Sequence, residues 1–495
     1  MRSNHASRAQ HRSGGTVWQV VASLVLTLLL LGGVSAPPVA AEDPASDGCH
    51  VTPSIGCVWG EHKIDLSLST RLRAEYWRAR TSKSDIFYAA RTRVGLKYSY
   101  GTLLTLFGEF QDARLSSLSP NSSGVAGVYR TFSRGSSETD SQRIRQLWLD
   151  VKPIEGLGIR IGRQDIKLGT EVMYPEANWK YVKIKRASQR LVGTVGWSHG
   201  ERSNDGIRVA YDTGGHHLYA FAARPTTGVF DIRDAYKRQS DINYGGLTWT
   251  VKRDTWLPNT ELRLFGLVYD DKRSVGDGGL PKSVTVYTGG ASVIGLYPVG
   301  PGTLDMLAWG AYQFGSFSRL DHSAGAAILE AGYQLAEVPL KPWFRVGVNY
   351  ASGDNDPTDG DHHTFFNMLP TNHLYYGFAD QWAFQNLVDW FAQLMLKPHE
   401  KVAINLMLHQ FYLADDNDAR YFGTGAFNKE IFGFGAQPSR GRQAGGTEID
   451  AVVNYNFNKH LSIQGGYAFM WGRGIFNTSS YEDVTFAYLE LTLKY

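Results

Sequence analysis

The chain has 495 residues, with 50 Lys and Arg against 47 Asp and Glu. That balance excludes the strongly basic surface that nucleic-acid binding demands. Aromatic residues make up 13% and Gly numbers 54, a composition that suits strands and tight turns.

Residues 1–41 read as a signal peptide. Arg2, Arg8 and Arg12 form a basic start, Val17 to Val34 is an apolar run, and Val39-Ala40-Ala41 supplies the small residues of a cleavage site. Removing this segment takes Lys and Arg from 50 to 47, so the remainder is formally neutral. Beyond residue 41 no window approaches the roughly 20 apolar residues of a transmembrane helix. The mature chain is therefore soluble or crosses a membrane as a barrel.

Residues 42–61 read as a short periplasmic extension carrying Cys49 and Cys57, the only two cysteines. An oxidising periplasm favours a disulfide between them over two free thiols. Zinc would need more ligands than His50 and His62 add.

From residue 62 to 495 one pattern repeats: segments of about ten residues alternate apolar and polar with period two, as transmembrane barrel strands do. Leu489, Leu491, Leu493 and Tyr495 oppose Tyr488, Glu490, Thr492 and Lys494; Phe344, Val346, Val348 and Tyr350 oppose Trp343, Arg345, Gly347 and Asn349. Eighteen such segments can be marked, from 64–77 and 88–99 to 460–471 and 484–494. Short links at Tyr100-Gly101, 153–155, 213–215, 398–400 and Asn458-Lys459 alternate with long ones at 114–142, 166–204, 225–241, 352–384 and 414–445. Short periplasmic turns and long extracellular loops produce that alternation. The expected fold is all-β: one transmembrane antiparallel β-barrel of about 18 strands in the bacterial outer membrane. Segment 179–199 leaves room for one more pair of strands.

Two stretches carry a family resemblance. They are RQLWLDV…GLGIRIGRQDIKLGTE…NW…NDGIRVAYD at 145–212 and GVNYASGDNDPTDGDHHTFFNMLPTNHLYYGFADQW at 347–382. With Gly162-Arg163-Gln164, Asp205-Gly206, and the Gly446, Glu448, Asp450 strand, they resemble the bacterial alginate export family. The resemblance implies an eighteen-stranded barrel that passes an anionic uronic-acid polysaccharide outward.

Strand parity turns Arg91, Arg93, Lys97, Arg160, Arg208, Arg263 and Arg345 toward the lumen, and Arg163 of the Gly-Arg-Gln strand joins them as an expected substrate-guiding cation. Arginine suits carboxylates because it is permanently charged and forks onto both oxygens. Glu109, Asp150, Asp212, Glu261, Glu448, Asp450 and Glu490 share the inward face, so a charge ladder that only holds the barrel's shape is the competing reading. Lys180, Lys183, Lys185, Arg186 and Arg190 crowd one loop, which is expected to fold inward and narrow a wide, wet tube. The run Asp354, Asp356, Asp359 and Asp361 opens like a Ca²⁺ loop, but Phe365 stands where a closing Glu is needed. His362, His363 and His373 read as ordinary loop donors. No metal, cofactor or catalytic set is expected, and no G-x-S-x-G motif supports a barrel hydrolase.

The expected function is export of an alginate-like anionic polysaccharide or oligosaccharide. The alternative is an uptake porin for small anionic molecules. Expected partners are outer-membrane lipid, lipopolysaccharide and a periplasmic export scaffold, with no nucleic acid. A closed barrel needs no second subunit, so a monomer is expected.

Overall fold

The computed structural model describes residues 50–52, 56–79, 84–122, 124–273, 275, 283–424, 431–478 and 483–495. Residues 1–41, the expected signal peptide, and Cys49 lie outside the described residues. Cys57 is disulfide-bonded.

Eighteen antiparallel strands form the wall: β1 His62–Ala79, β2 Asp85–Tyr100, β3 Leu104–Ser116, β4 Thr139–Ile154, β5 Leu157–Gln164, β6 Asn204–Asp212, β7 His216–Pro225, β8 Ile242–Val251, β9 Thr260–Asp271, β10 Val284–Val299, β11 Gly302–Phe317, β12 Leu320–Gln334, β13 Trp343–Ala351, β14 Leu387–His399, β15 Val402–Tyr412, β16 Ala444–Asn456, β17 Leu461–Gly472 and β18 Asp483–Lys494. Each pairs with its chain neighbours. β18 closes the barrel on β1, from Val484 opposite Ala79 to Lys494 opposite Ser69. Below that point Gly56–Trp59 continues the sheet along β1.

The alternation sorts side chains as the sequence pattern requires. Leu72, Leu329, Val346 and Leu489 are exposed on the outer wall, whereas Arg71, Arg73, Glu330 and Arg345 are buried inside. A lipid-facing wall needs this arrangement, because hydrocarbon solvates Leu and not Arg. A β-bulge within β4 breaks the parity there. Register shifts between Glu109 and Phe110, leaving Arg145 as the extra residue on β4.

The extracellular loops do not stand over an open tube. Segments 165–203 and 352–386 enter the barrel and pair through Val192 and Leu369. Their aromatic residues pack on the inner wall: the ring centroids of Tyr269 and Phe366 are 5.2 Å apart, and those of Trp309 and Phe384 are 6.2 Å apart. The wide, wet tube is thus corrected to a lumen packed by loops in its extracellular half. No extra strand pair occurs at 179–199. Ala177–Tyr181 is α-helical and Val182–Ala187 continues as a π-helix. Val182, Lys183, Arg186 and Arg190 are buried, a spacing near the helical period that a Val-Lys-Ile-Lys alternation masks.

Replacing Leu489 with Arg puts a charge on the lipid face near the middle of β18. It is expected to cost about 2–4 kcal/mol in denaturant unfolding from bilayers; a change below 0.5 kcal/mol would contradict the assigned parity.

Candidate functional site

The inner wall holds the entering loop by a clasp of arginines. Strands β1, β2 and β4 project Arg71, Arg73, Arg91, Arg93, Arg143 and Arg145 toward residues 196–201. Arg71 donates to the carbonyls of Gly196 at 2.9 Å, Trp197 at 3.0 Å and Ser198 at 2.9 Å. Arg73 donates to Trp197 O at 2.7 Å, and its guanidinium lies 3.7 Å from the centroid of that indole. Glu201 is the anionic centre, 4% exposed. It meets Arg91 at 2.7 Å, Arg93 at 2.9 Å and Arg145 at 2.7 Å. Burial would raise its carboxyl pKa, but Arg93, Arg145 and Arg91 hold it well below the usual carboxylate range. Arg145 also meets Glu109 and Asp165, each at 2.7 Å.

The basic loop is pinned in the same manner on the opposite wall. Lys183 pairs with Glu261. Arg186 and Arg190 share Glu330 at 2.7 and 2.9 Å, and Arg190 stacks on Tyr375 at 3.5 Å. Lys180 and Lys185 remain exposed. The five expected constriction cations thus divide: Lys183, Arg186 and Arg190 anchor the loop, because charges buried against a dry wall must be paired.

Below the loops, toward the periplasmic turns, lies a cavity of about 750 Å³. Its cations are Arg71, Lys185, Arg186, Lys341 and Lys397, and its one carboxylate is Glu490. Gln334, Gln393, Asn405, Asn454 and Gln464 add amides, and Trp197, Trp343 and Tyr488 add ring faces.

The model of the family described as alginate export matches residues 63–474. The chain belongs to the alginate export family. No curated protein matches it. Among solved structures it is similar to the Pseudomonas aeruginosa outer-membrane protein OpdK, with TM-score 0.55, 11% identity, and coverage of 87% of this chain and 99% of that one. A BenF-like porin from Pseudomonas fluorescens Pf-5 gives TM-score 0.56 at 9% identity, covering 87% and 98%. Pseudomonas aeruginosa OccK2 (OpdF), solved with glucuronate, gives 0.55 at 9%, covering 87% and 96%. At such identities the likeness is one of fold: an outer-membrane porin barrel.

The family's marker segments meet inside this barrel. Gly377, at φ +82°, lies where a Cβ would fall 2.5 Å from Glu448, and Ala379 N donates to Glu448 Oε1 at 2.9 Å. The Tyr-Tyr-Gly loop therefore rests on the Gly-x-Glu-x-Asp strand. Glu448 and Asp450 serve as loop seats rather than partners of cations; His409 Nε2 is 3.9 Å from Asp450.

Most of the expected substrate guides prove to be internally paired. Arg91 and Arg93 take Glu201. Lys97 pairs with Asp65 at 3.1 Å, Arg160 with Asp150 at 2.7 Å and Arg263 with Glu171 at 2.8 Å. Arg345 pairs with Asp305 at 2.5 Å and Glu330 at 3.4 Å. The lumen acids Asp212 and Glu490 meet Lys252 with His217, and Arg71 with Arg73. Arg208 instead has Tyr219 as a side-chain hydrogen-bond partner. Arg163 does not face the lumen: it shares the outward parity of Ile159 and Ile161 and meets Asp205 at 2.7 Å. Asp356, Asp359 and their neighbours cap turns of their own loop, with Asp361 N donating to Asp359 Oδ1 at 2.9 Å.

Parity alone would have found Arg71, Arg73 and Glu330. Arg145 was hidden by the bulge, and Glu201 and Glu171 sit in loops without periodicity.

Glu201→Gln leaves Arg91 and Arg93 without their carboxylate, while Arg145 keeps Glu109 and Asp165; the clasp loses about 3–5 kcal/mol. The expected readouts are larger, noisier single-channel conductance and new protease cleavage within 165–203. A conductance identical to wild type would show that this loop does not obstruct the lumen. The depressed pKa gives the pH sign: the clasp is intact above the free carboxylate value of about 4.3 and is lost only as pH falls through the lower bound-state value.

Proposed function

We propose that this barrel passes an anionic saccharide of the alginate type outward across the outer membrane. The observation that carries the reading is the vestibule, where Lys185, Lys341 and Lys397 are exposed and the one lining carboxylate, Glu490, is already held by Arg71. Cations attract uronate carboxylates, amides exchange hydrogen bonds with sugar hydroxyls, and ring faces cover the apolar faces of pyranoses. Lys185, Lys341 and Lys397 are ammonium groups on flexible stems, which draw an anion in without the bidentate grip that would hold it there. Lys341 and Lys397 share Glu400 at the rim, at 3.2 and 2.7 Å; this pairing moderates their pull. Family membership supports export, with a periplasmic scaffold delivering the polymer to this end.

A second reading, uptake of small anionic molecules, draws on the loop packing. A lumen filled by segments 165–203 and 352–386 suits a short solute better than a polymer at rest. OccK2 (OpdF) is solved in complex with glucuronate and OpdK with vanillate.

Reversal potentials in planar bilayers under a salt gradient should show anion preference. Lys185→Gln combined with Lys341→Gln should lower the anion-to-cation permeability ratio by at least twofold while leaving heat-modifiable migration intact. Unchanged selectivity in the double variant would remove the vestibule from the mechanism. Current block by long oligouronates as well as monouronates supports export; block by monouronates alone supports uptake.

A further inference from the structure

At the extracellular rim, away from the vestibule, loop residues Asp361–His362 run parallel to the start of β12, with His322 opposite His362. The rings of these two histidines face each other. His322 Nδ1 is 2.9 Å from His362 Nδ1 and 3.0 Å from the His362 carbonyl oxygen. His322 is 3% exposed, and His362 stacks on Phe317 with centroids 4.1 Å apart.

The hydrogen bonds around Gln313 fix what faces one side of His322. Gln313 Oε1 accepts from Phe366 N at 2.8 Å, and Gln313 Nε2 donates to Phe366 O at 2.9 Å. The amide orientation is therefore set. His322 Nε2 lies 3.3 Å from Gln313 Oε1, and Nδ1 faces the His362 carbonyl oxygen at 3.0 Å. A neutral ring has one proton for these two contacts, so whichever nitrogen carries it, the other turns a lone pair toward an acceptor. Among the described residues no carboxylate pairs with either ring to favour an imidazolium. A metal ion resolves the conflict: neighbouring ligands of a six-coordinate ion with bonds of about 2.1 Å stand about 3 Å apart.

We propose that His322 Nδ1, His362 Nδ1 and the His362 carbonyl bind a late first-row divalent cation, of the Zn²⁺, Cu²⁺ or Ni²⁺ class. Water completes the coordination on the half-buried side of His362. Imidazole nitrogen suits these ions and not Ca²⁺ or Mg²⁺. The ion staples loop 352–386 to the barrel wall at the mouth. The site is distinct from the Asp359, Asp361 and His363 group: His363 follows His362 in the chain and turns its Nδ1 toward Ser323 O instead, at 2.9 Å.

The test uses the full barrel, refolded in detergent, stripped with chelator and titrated with Zn²⁺ alone by calorimetry. Wild type is expected to bind one ion per chain. His322→Gln and His362→Gln should each weaken binding at least tenfold, whereas His363→Gln should leave it within twofold. Heat-modifiable migration verifies that each variant is folded, and Zn²⁺ should slow proteolysis of 352–363 in wild type only. No Zn²⁺ binding by wild type, or equal binding by the folded His322→Gln/His362→Gln double variant, overturns the proposal. So does loss of binding in His363→Gln, which would move the ion to the carboxylate group.

Discussion

Every backbone N–H and C=O inside a hydrocarbon layer must find a partner within the protein. In this chain that constraint is met only when Lys494 and its neighbours zip onto Ser69 and the strand above it. Closure in turn fixes parity, and parity fixes which charges must be neutralised indoors. An arginine facing inward on β1, β2 or β4 cannot escape to lipid. It is satisfied by a loop that brings carbonyls and a carboxylate to it. The clasp around Glu201 is thus a consequence of closure as much as a device of transport.

That linkage changes the meaning of a basic lumen. Charge placed on the wall does two different jobs at two heights. Around Glu201 and Glu330 the guanidiniums are dry, paired and structural, and removing one partner leaves an uncompensated charge. In the vestibule Lys185 and its neighbours are wet and lightly engaged, the state a transient contact with a passing carboxylate requires. Arginine dominates the first group and lysine the second, as planar forks and mobile ammonium groups respectively suit them.

The period-two pattern made the wall legible in the sequence: eighteen strands, the short turns and the outward Leu and Val positions follow from it. What it could not show was the interior. Lys183, Arg186 and Arg190 look like free cations in a polar loop, because the acids that bind them lie 78 to 144 positions away in the chain. Arg163 was misplaced because its Gly-Arg-Gln context outweighed its parity with Ile161. Arg145 was missed because a single extra residue on β4 reset the alternation, and Glu201 because loops have no period to read. The His322–His362 contact is invisible for the same reason, since it forms only when the loop lies back along β12.

We propose that an anionic saccharide crosses through the lysine-lined vestibule. The most direct measurement is efflux from proteoliposomes loaded with an oligouronate or with an uncharged oligosaccharide of equal length. The uronate is expected to leave faster by at least severalfold, with the advantage reduced when Lys185 is neutralised. Equal rates for the two sugars, or faster release of the uncharged one, would contradict it.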